Sequence, residues 1–207
     1  GGGWPQVSDE DDGRVLLASE AASRMDLVMN ALAAWLPGPP LSDDAMGLRA
    51  LLGLKPGPAA RAADDGFHEY PHGGWALWRD AGLLVSFDHG PLGLGSLAAH
   101  GHADALAITL FRGDDGLVVD PGTLAYHEDP EARDRSRGTP AHSTVNFGGR
   151  SQSEMRGPFL WGRRASIERE REGWVCRWWS GERHQGEVDV AHGSFAREDR
   201  ASGREAE

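Results

Sequence analysis

From Gly66 onward the chain becomes a succession of short runs of β-branched, aromatic and leucine residues, each bounded by Gly, Asp or Pro. Runs this short cannot make the long amphipathic helices of a bundle, and the breakers between them come too often. The pattern predicts strands at residues 75–79, 83–88, 105–111, 117–120, 143–147 and 174–179. Arg112-Gly-Asp-Asp-Gly116 joins two of them as a tight hairpin. A total of 29 glycines and 12 prolines supplies the turns that such a fold needs. The expected fold class is mainly β, an antiparallel sheet domain from residue 66 onward.

Residues 1–65 read differently. Met25, Val28, Met29, Leu32 and Leu36 recur at helical spacing, and Pro37 stops them. Ser42 caps a second segment whose first turn holds Asp43 and Asp44, where negative charge suits the helix dipole. Residues 55–66 read as a linker. Two helices of this size cannot bury a core alone, so they pack on the sheet or belong to a larger helical domain. Beyond His192 the sequence is polar and Arg/Glu-rich, and it predicts no strand.

The net charge of −11 argues against nucleic acid as a general partner. No apolar run approaches the 18 residues of a membrane span, so no membrane partner is expected. The charge is uneven. Between residues 133 and 164 there are seven arginines against Asp134 and Glu154, whereas residues 1–70 carry eleven acids and five bases. An anionic partner could therefore bind the middle of the chain. Cys176 is the one cysteine, which excludes an intrachain disulfide and a cysteine-based metal site. The N-terminal Gly-Gly-Gly-Trp-Pro-Gln does not read as a signal peptide.

Three of the apolar segments carry chemistry at their ends: His100-Gly-His102-Ala-Asp104, Val-Val-Asp120-Pro-Gly and Ala-His142-Ser-Thr. His102, Asp120 and His142 are candidate ligands for zinc, since imidazole nitrogen and carboxylate oxygen both suit it and three protein ligands leave a position open. The hairpin around residues 112–116 returns Asp120 toward the His102 end of the sheet. In a strand, His100 and His102 are two apart and point into one cleft, unless Gly101 bends the chain and turns them apart. His100 is then left for catalysis. Tyr126, six residues after Asp120, is the tyrosine better placed to handle a proton, the alternative being a tyrosine that only covers the sheet. Gly90-Pro-Leu-Gly-Leu-Gly95 resembles a phosphate loop only superficially, because no Lys-Ser/Thr and no helix follow it. Trp161, Trp174, Trp178 and Trp179 could stack on sugars, although in a sandwich they fill the core more often.

Five blocks in order resemble the heparinase II/III-like family of polysaccharide lyases: Val7-Ser-Asp-Glu-Asp-Asp-Gly-Arg14, Phe87-Asp-His-Gly-Pro-Leu-Gly93, His100-Gly-His-Ala-Asp-Ala-Leu106, Val118-Val-Asp-Pro-Gly-Thr123 and Arg137-Gly-Thr-Pro-Ala-His-Ser-Thr-Val145. The resemblance implies an N-terminal (α/α) toroid followed by an antiparallel β-sandwich. Residues 1–65 would be the last toroid helices and linker, and residues 66–207 the sandwich, truncated at its C-terminus. It implies zinc on His102, Asp120 and His142, with His100 facing the substrate cleft. It also implies β-elimination in a uronic-acid-containing anionic polysaccharide, with other proton-transfer residues in the upstream toroid. Many members carry an aromatic residue just before the Arg-Gly-Thr block, where this chain reads Arg133-Asp-Arg-Ser-Arg137. Arg135 and Arg137 are the candidates to bind a carboxylate or sulfate there. A polymeric substrate implies a periplasmic or secreted bacterial protein. The scarcity of Lys beside Arg also fits a GC-rich bacterial genome.

Two other readings compete. One is a non-catalytic, zinc-stabilised β domain that binds carbohydrate. The other is a cupin-like metal enzyme, which Gly95, His100 and His102 weakly suggest, but no Glu follows His102 at the spacing a cupin requires.

Overall fold

A computed structural model describes residues 64–171, 173–189 and 196–203. The two helices expected at residues 25–36 and 42–52 lie outside these residues.

Eleven strands are described, and every pairing is antiparallel. β1 (Gly66–Tyr70), β2 (Trp75–Asp80), β3 (Leu83–Asp88), β4 (Ile108–Arg112) and β5 (Asp115–Val118) form a five-stranded meander in sequence order. β6 (Met155–Gly157) and β7 (Leu160–Trp161) form a separate small hairpin. β8 (Ser166–Glu170), β9 (Gly173–Arg177), β10 (Arg183–Asp189) and β11 (Ala196–Ser202) form a four-stranded sheet.

The core lies between the two large sheets. Ala76 and Phe87 from the first meet Trp174, Cys176 and Trp178 from the second, with Leu106 between them. The Phe87 and Trp174 rings lie 5.0 Å apart and tilted by 52°. Gly186 on β10 lies over Phe87 and Leu106, where even an added Cβ would make ordinary contact at 3.4 and 3.5 Å. This is sandwich packing, in which inward side chains of both layers interdigitate. Cys176 is fully buried within it, and burial pushes its thiol up to about 12, so it is an inert core residue.

Several sequence expectations are corrected. The segment from His100 to Ala107 is an irregular loop, and β4 starts only at Ile108. Residues 143–147 form a loop as well. There the backbone carbonyl of Ser143 accepts from Ile108 N–H, and Thr144 Oγ1 donates to the carbonyl of Ala105 at 2.8 Å. The segment is thus tied to the β4 approach by scattered bonds instead of a ladder. Residues 196–202, where no strand was expected, form β11 in seven-residue register with β10. The helix Pro130–Arg137 was not anticipated, although its signals are readable. Asp129 caps it by accepting from Ala132 N–H at 2.9 Å, and Pro130 occupies the first turn.

Candidate metal centre and its surroundings

Three loops at one end of the meander bring His102, Asp120 and His142 together. His102 lies in the loop before β4. Asp120 lies two residues past β5, returned by the β4–β5 hairpin. His142 caps a short 3-10 turn, Thr139–Ala141, that follows the helix. One nitrogen or oxygen from each residue falls within 4.8 Å of the others.

The local bonds explain why the loops hold this shape. Asp120 Oδ1 accepts from Gly122 N–H at 2.8 Å, an Asx turn that the Asp-Pro-Gly sequence encodes. Its other oxygen, Oδ2, meets His142 Nδ1 at 2.8 Å. His102 Nε2 lies 3.1 Å from Thr123 Oγ1, and the two imidazoles stand 5.3 Å apart. Thr139 Oγ1 donates to Ala103 carbonyl at 2.6 Å, and Ala103 N–H donates to Arg137 carbonyl at 2.9 Å. These two bonds fasten the chain beside His102 to the segment that leads into His142.

The electrostatics suit a cation. Asp88 and Asp104 lie near Asp120 in the same enclosed region. Burial pushes the Asp104 carboxyl well above the usual range, and the charges of Asp88 and Asp120 push the same way. Asp88 is pushed up to about 7, first by burial, with the Gly90 N–H opposing and the Asp120 charge adding. Carboxylates crowded away from water favour a cation among them. His142 Nε2 is also buried without a hydrogen-bond partner among the described residues. Two imidazoles and one carboxylate within reach of a single point are a zinc-compatible donor set.

The other candidate residues fall in different settings. His100 is exposed, whereas His102 is 1% exposed. Strand alternation does not govern the pair, because His100 adopts a left-handed φ of 61° at the loop turn. For a non-glycine residue this conformation costs roughly 1–2 kcal/mol and persists only where neighbouring structure enforces it. Tyr126 is half-buried, with the Arg133 guanidinium 5.5 Å from its ring centre. Arg135 is exposed, 3.6 Å from Glu131, and lines an open groove of about 680 Å³. Asp134, Pro140, Ala141, Ser151 and Met155 share that groove. Arg137 differs from expectation. Its side chain is 1% exposed and donates to Gly157 carbonyl at 2.6 Å and to Asp134 at 2.9 Å, with the Trp161 ring 4.7 Å away. The guanidinium ties the helix to the β6–β7 hairpin.

The tryptophans expected to fill the core do so at positions 161, 174 and 178. Trp179 is half-buried, donates to Ser151 carbonyl at 3.1 Å, and lies under the Arg163 guanidinium. The carboxylates Asp88 and Asp104 were not singled out from sequence. The only signal was their place inside the two blocks that also carry His89, His100 and His102.

Comparison with known proteins agrees with this architecture. The family described as heparinase II/III-like, C-terminal, matches residues 62–199. The heparan sulfate lyase HepC from Pedobacter heparinus superposes with a TM-score of 0.60 at 18% identity, covering 96% of this chain and 29% of that one. A heparinase III with methylated lysines superposes with a TM-score of 0.59 at 17% identity, covering 96% of this chain and again 29% of the other. At such identity the likeness establishes the fold, and the chain spans under a third of the structures it matches. No curated protein matches the sequence. The family match covers well over half of the chain, and together with the two facing antiparallel sheets it establishes that the chain belongs to the heparinase II/III-like C-terminal family.

Proposed function

We propose that this chain is the zinc-bearing β-sandwich part of a polysaccharide lyase that cleaves uronic-acid-containing anionic polysaccharide by β-elimination. The carrying observation is the cluster of His102, Asp120 and His142 donor atoms within 4.8 Å, inside a heparinase II/III-like fold. HepC of Pedobacter heparinus is a heparan sulfate lyase, which supports the reaction class for this chain. Residues 1–65 are read as the end of a helical toroid plus linker, and the rest of that toroid is the partner domain. The protein is placed in the periplasm or outside a bacterial cell, where such polymers occur.

In the reaction a base removes the C5 proton of the uronate. The C–H electron pair becomes the C4–C5 double bond, the C4–O bond breaks, and the leaving oxygen takes a proton. His100 is exposed on the rim of the site and offers an imidazole for one of these transfers. Tyr126 is assigned the second role in proton transfer. Arg135, exposed along the groove, would pair with a carboxylate or sulfate and make the C5 proton more acidic. Arg137 supports that wall from behind. His102, Asp120 and His142 would hold zinc, which would supply Lewis-acid chemistry toward developing negative charge on oxygen.

The test measures unsaturated-uronate absorbance with the protein that includes its toroid, on heparan sulfate, alginate and a glucuronate-containing exopolysaccharide. His100→Ala should lower turnover by about a hundredfold or more while zinc stays bound. No unsaturated product from any of the substrates with the zinc-loaded wild type would overturn the lyase reading. It would leave a zinc-stabilised carbohydrate-binding domain.

A further inference from the structure

We infer that Trp161 is a positioning residue for the His100–Gly101–His102 turn, its indole N–H fixing the Gly101 carbonyl between the two imidazoles. The inference rests on the functional reading above for its importance, and on the following geometry for its substance. Trp161 Nε1 donates to Gly101 carbonyl at 3.0 Å, a buried bond across sixty residues of chain. Gly101 also has its Cα pressed on Gly93, where a Cβ would lie 2.6 Å from Gly93 Cα and N. Gly101 N–H reaches Ala98 carbonyl at 3.3 Å. Gly101, between the two histidines, is therefore held by Gly93, by Ala98 and by Trp161, with the Leu92 side chain also close, and Trp161 supplies the side-chain hydrogen bond.

The left-handed φ of His100 makes such a hold necessary. An unsupported non-glycine residue leaves that conformation readily, and its imidazole would swing with it. With the carbonyl of Gly101 fixed, His100 is exposed to the substrate side while His102 stays buried against the metal donors.

The β6–β7 hairpin is built to deliver this indole. In β7, Leu160 is exposed and Trp161 is 4% exposed, so the two-residue strand turns one side chain in. The Arg137 guanidinium over the Trp161 ring and its bond to Gly157 carbonyl fix the hairpin to the helix. Trp161 packs on Ala98 and Ala103, with Leu92 and Met155 beside them. A phenyl ring at this position keeps an aromatic face toward these neighbours and lacks the N–H donor.

Trp161→Phe in the 207-residue chain separates donor from filler, with Trp178→Phe in the main core as control. Amide exchange at Gly101 and Ala103 should quicken by about tenfold or more in Trp161→Phe, the effect of leaving a buried carbonyl unpaired. Exchange across β2 and β3 should not change, and zinc affinity in a competition titration should fall by about tenfold. Trp178→Phe should leave both loop amides as in the wild type. Loop exchange within twofold of wild type in Trp161→Phe, or a rise spread equally over β2 and β3, would overturn the inference. If the wild type takes up no zinc, the metal reading fails by itself, and the exchange comparison still decides the role of Trp161.

Discussion

Asp88 carries a carboxyl that folding makes hard to ionise, and this gives the domain a measurable pH signature. Its value near 7 in the folded chain stands against 3.8 for the free group. A raised carboxyl keeps its proton longer in the folded state, so stability falls as pH climbs from about 4 to 7 and then levels. In metal-stripped chain, Asp88→Asn should remove the Asp88 share of that decline and leave the share of Asp104, whose carboxyl is also raised, because an amide still accepts from Gly90 N–H. The variant should match the wild type at pH 4 and exceed it at pH 8 by on the order of 2 kcal/mol, read from urea midpoints. Equal pH slopes would show that Asp88 ionises without penalty. For the metal donors, His102→Ala/His142→Ala should abolish stoichiometric zinc, while His100→Ala retains it; metal content after dialysis decides both. The donor residues were readable from sequence because each ends an apolar run next to a turn signal. The opposite exposure of His100 and His102 was not, because alternation applies only to strands, and close glycine packing keeps this segment out of one. Arg137 was misplaced for a related reason: arginines in a basic stretch look alike until a helix turns one of them inward.

At the scale of elements, the strands that sequence exposed are those with an apolar face, such as β2, β3 and β9. Those it hid are held by charge. Ser166–Glu170 and Ala196–Ser202 show no apolar stripe, and β10 is paired to β11 through Arg200 with Glu187 and through His184 with Asp199. His184 is fully buried and its Nε2 meets Asp199 Oδ1 at 2.7 Å, while Arg197 holds the same carboxylate. Burial alone would raise the Asp199 carboxyl, but these two partners outweigh it and hold it below the usual range. A depressed carboxylate stabilises the fold above its unfolded value and loses that contribution as pH falls through its folded value. Asp199→Ala should therefore cost about 1–3 kcal/mol at pH 7, chiefly by leaving His184 without its acceptor, and the cost should shrink as pH falls below the usual carboxylate range. Thermal unfolding of wild type and variant at pH 7 and pH 3 checks this, and an unchanged melting temperature at pH 7 would show that β11 contributes nothing to the sandwich. β11 also covers the edge of β10, so removing residues 196–207 should expose an unpaired edge and promote aggregation.

At the scale of the molecule, the sandwich was legible because turn-bounded short strands admit few architectures. The five sequence blocks were legible because their order and gaps agree at once. The joining of the helical segment to the sandwich lies outside the described residues. The chemistry sets a stricter requirement than the fold. Elimination needs a base, an acid and a group that neutralises the uronate carboxylate, held together within hydrogen-bond reach. The described residues offer His100 on an exposed loop, a half-buried Tyr126 beside Arg133, and Arg135 on an open groove. A single wall cannot exclude water or grip both sugars of the scissile bond. The 207-residue chain by itself should therefore bind zinc yet release no unsaturated ends from heparan sulfate, alginate or a glucuronate-containing exopolysaccharide. Weak binding of these polymers should persist through the arginine-rich middle of the chain. It should fade between about 0.05 and 0.5 M salt, because exposed charges are screened beyond about 10 Å at 0.1 M. Absorbance of unsaturated uronate above a zinc-stripped control would show that the isolated chain is catalytically complete. Binding indifferent to salt would place the polymer on the tryptophans instead, with Trp179 and the neighbouring Arg163 as the surface to mutate next.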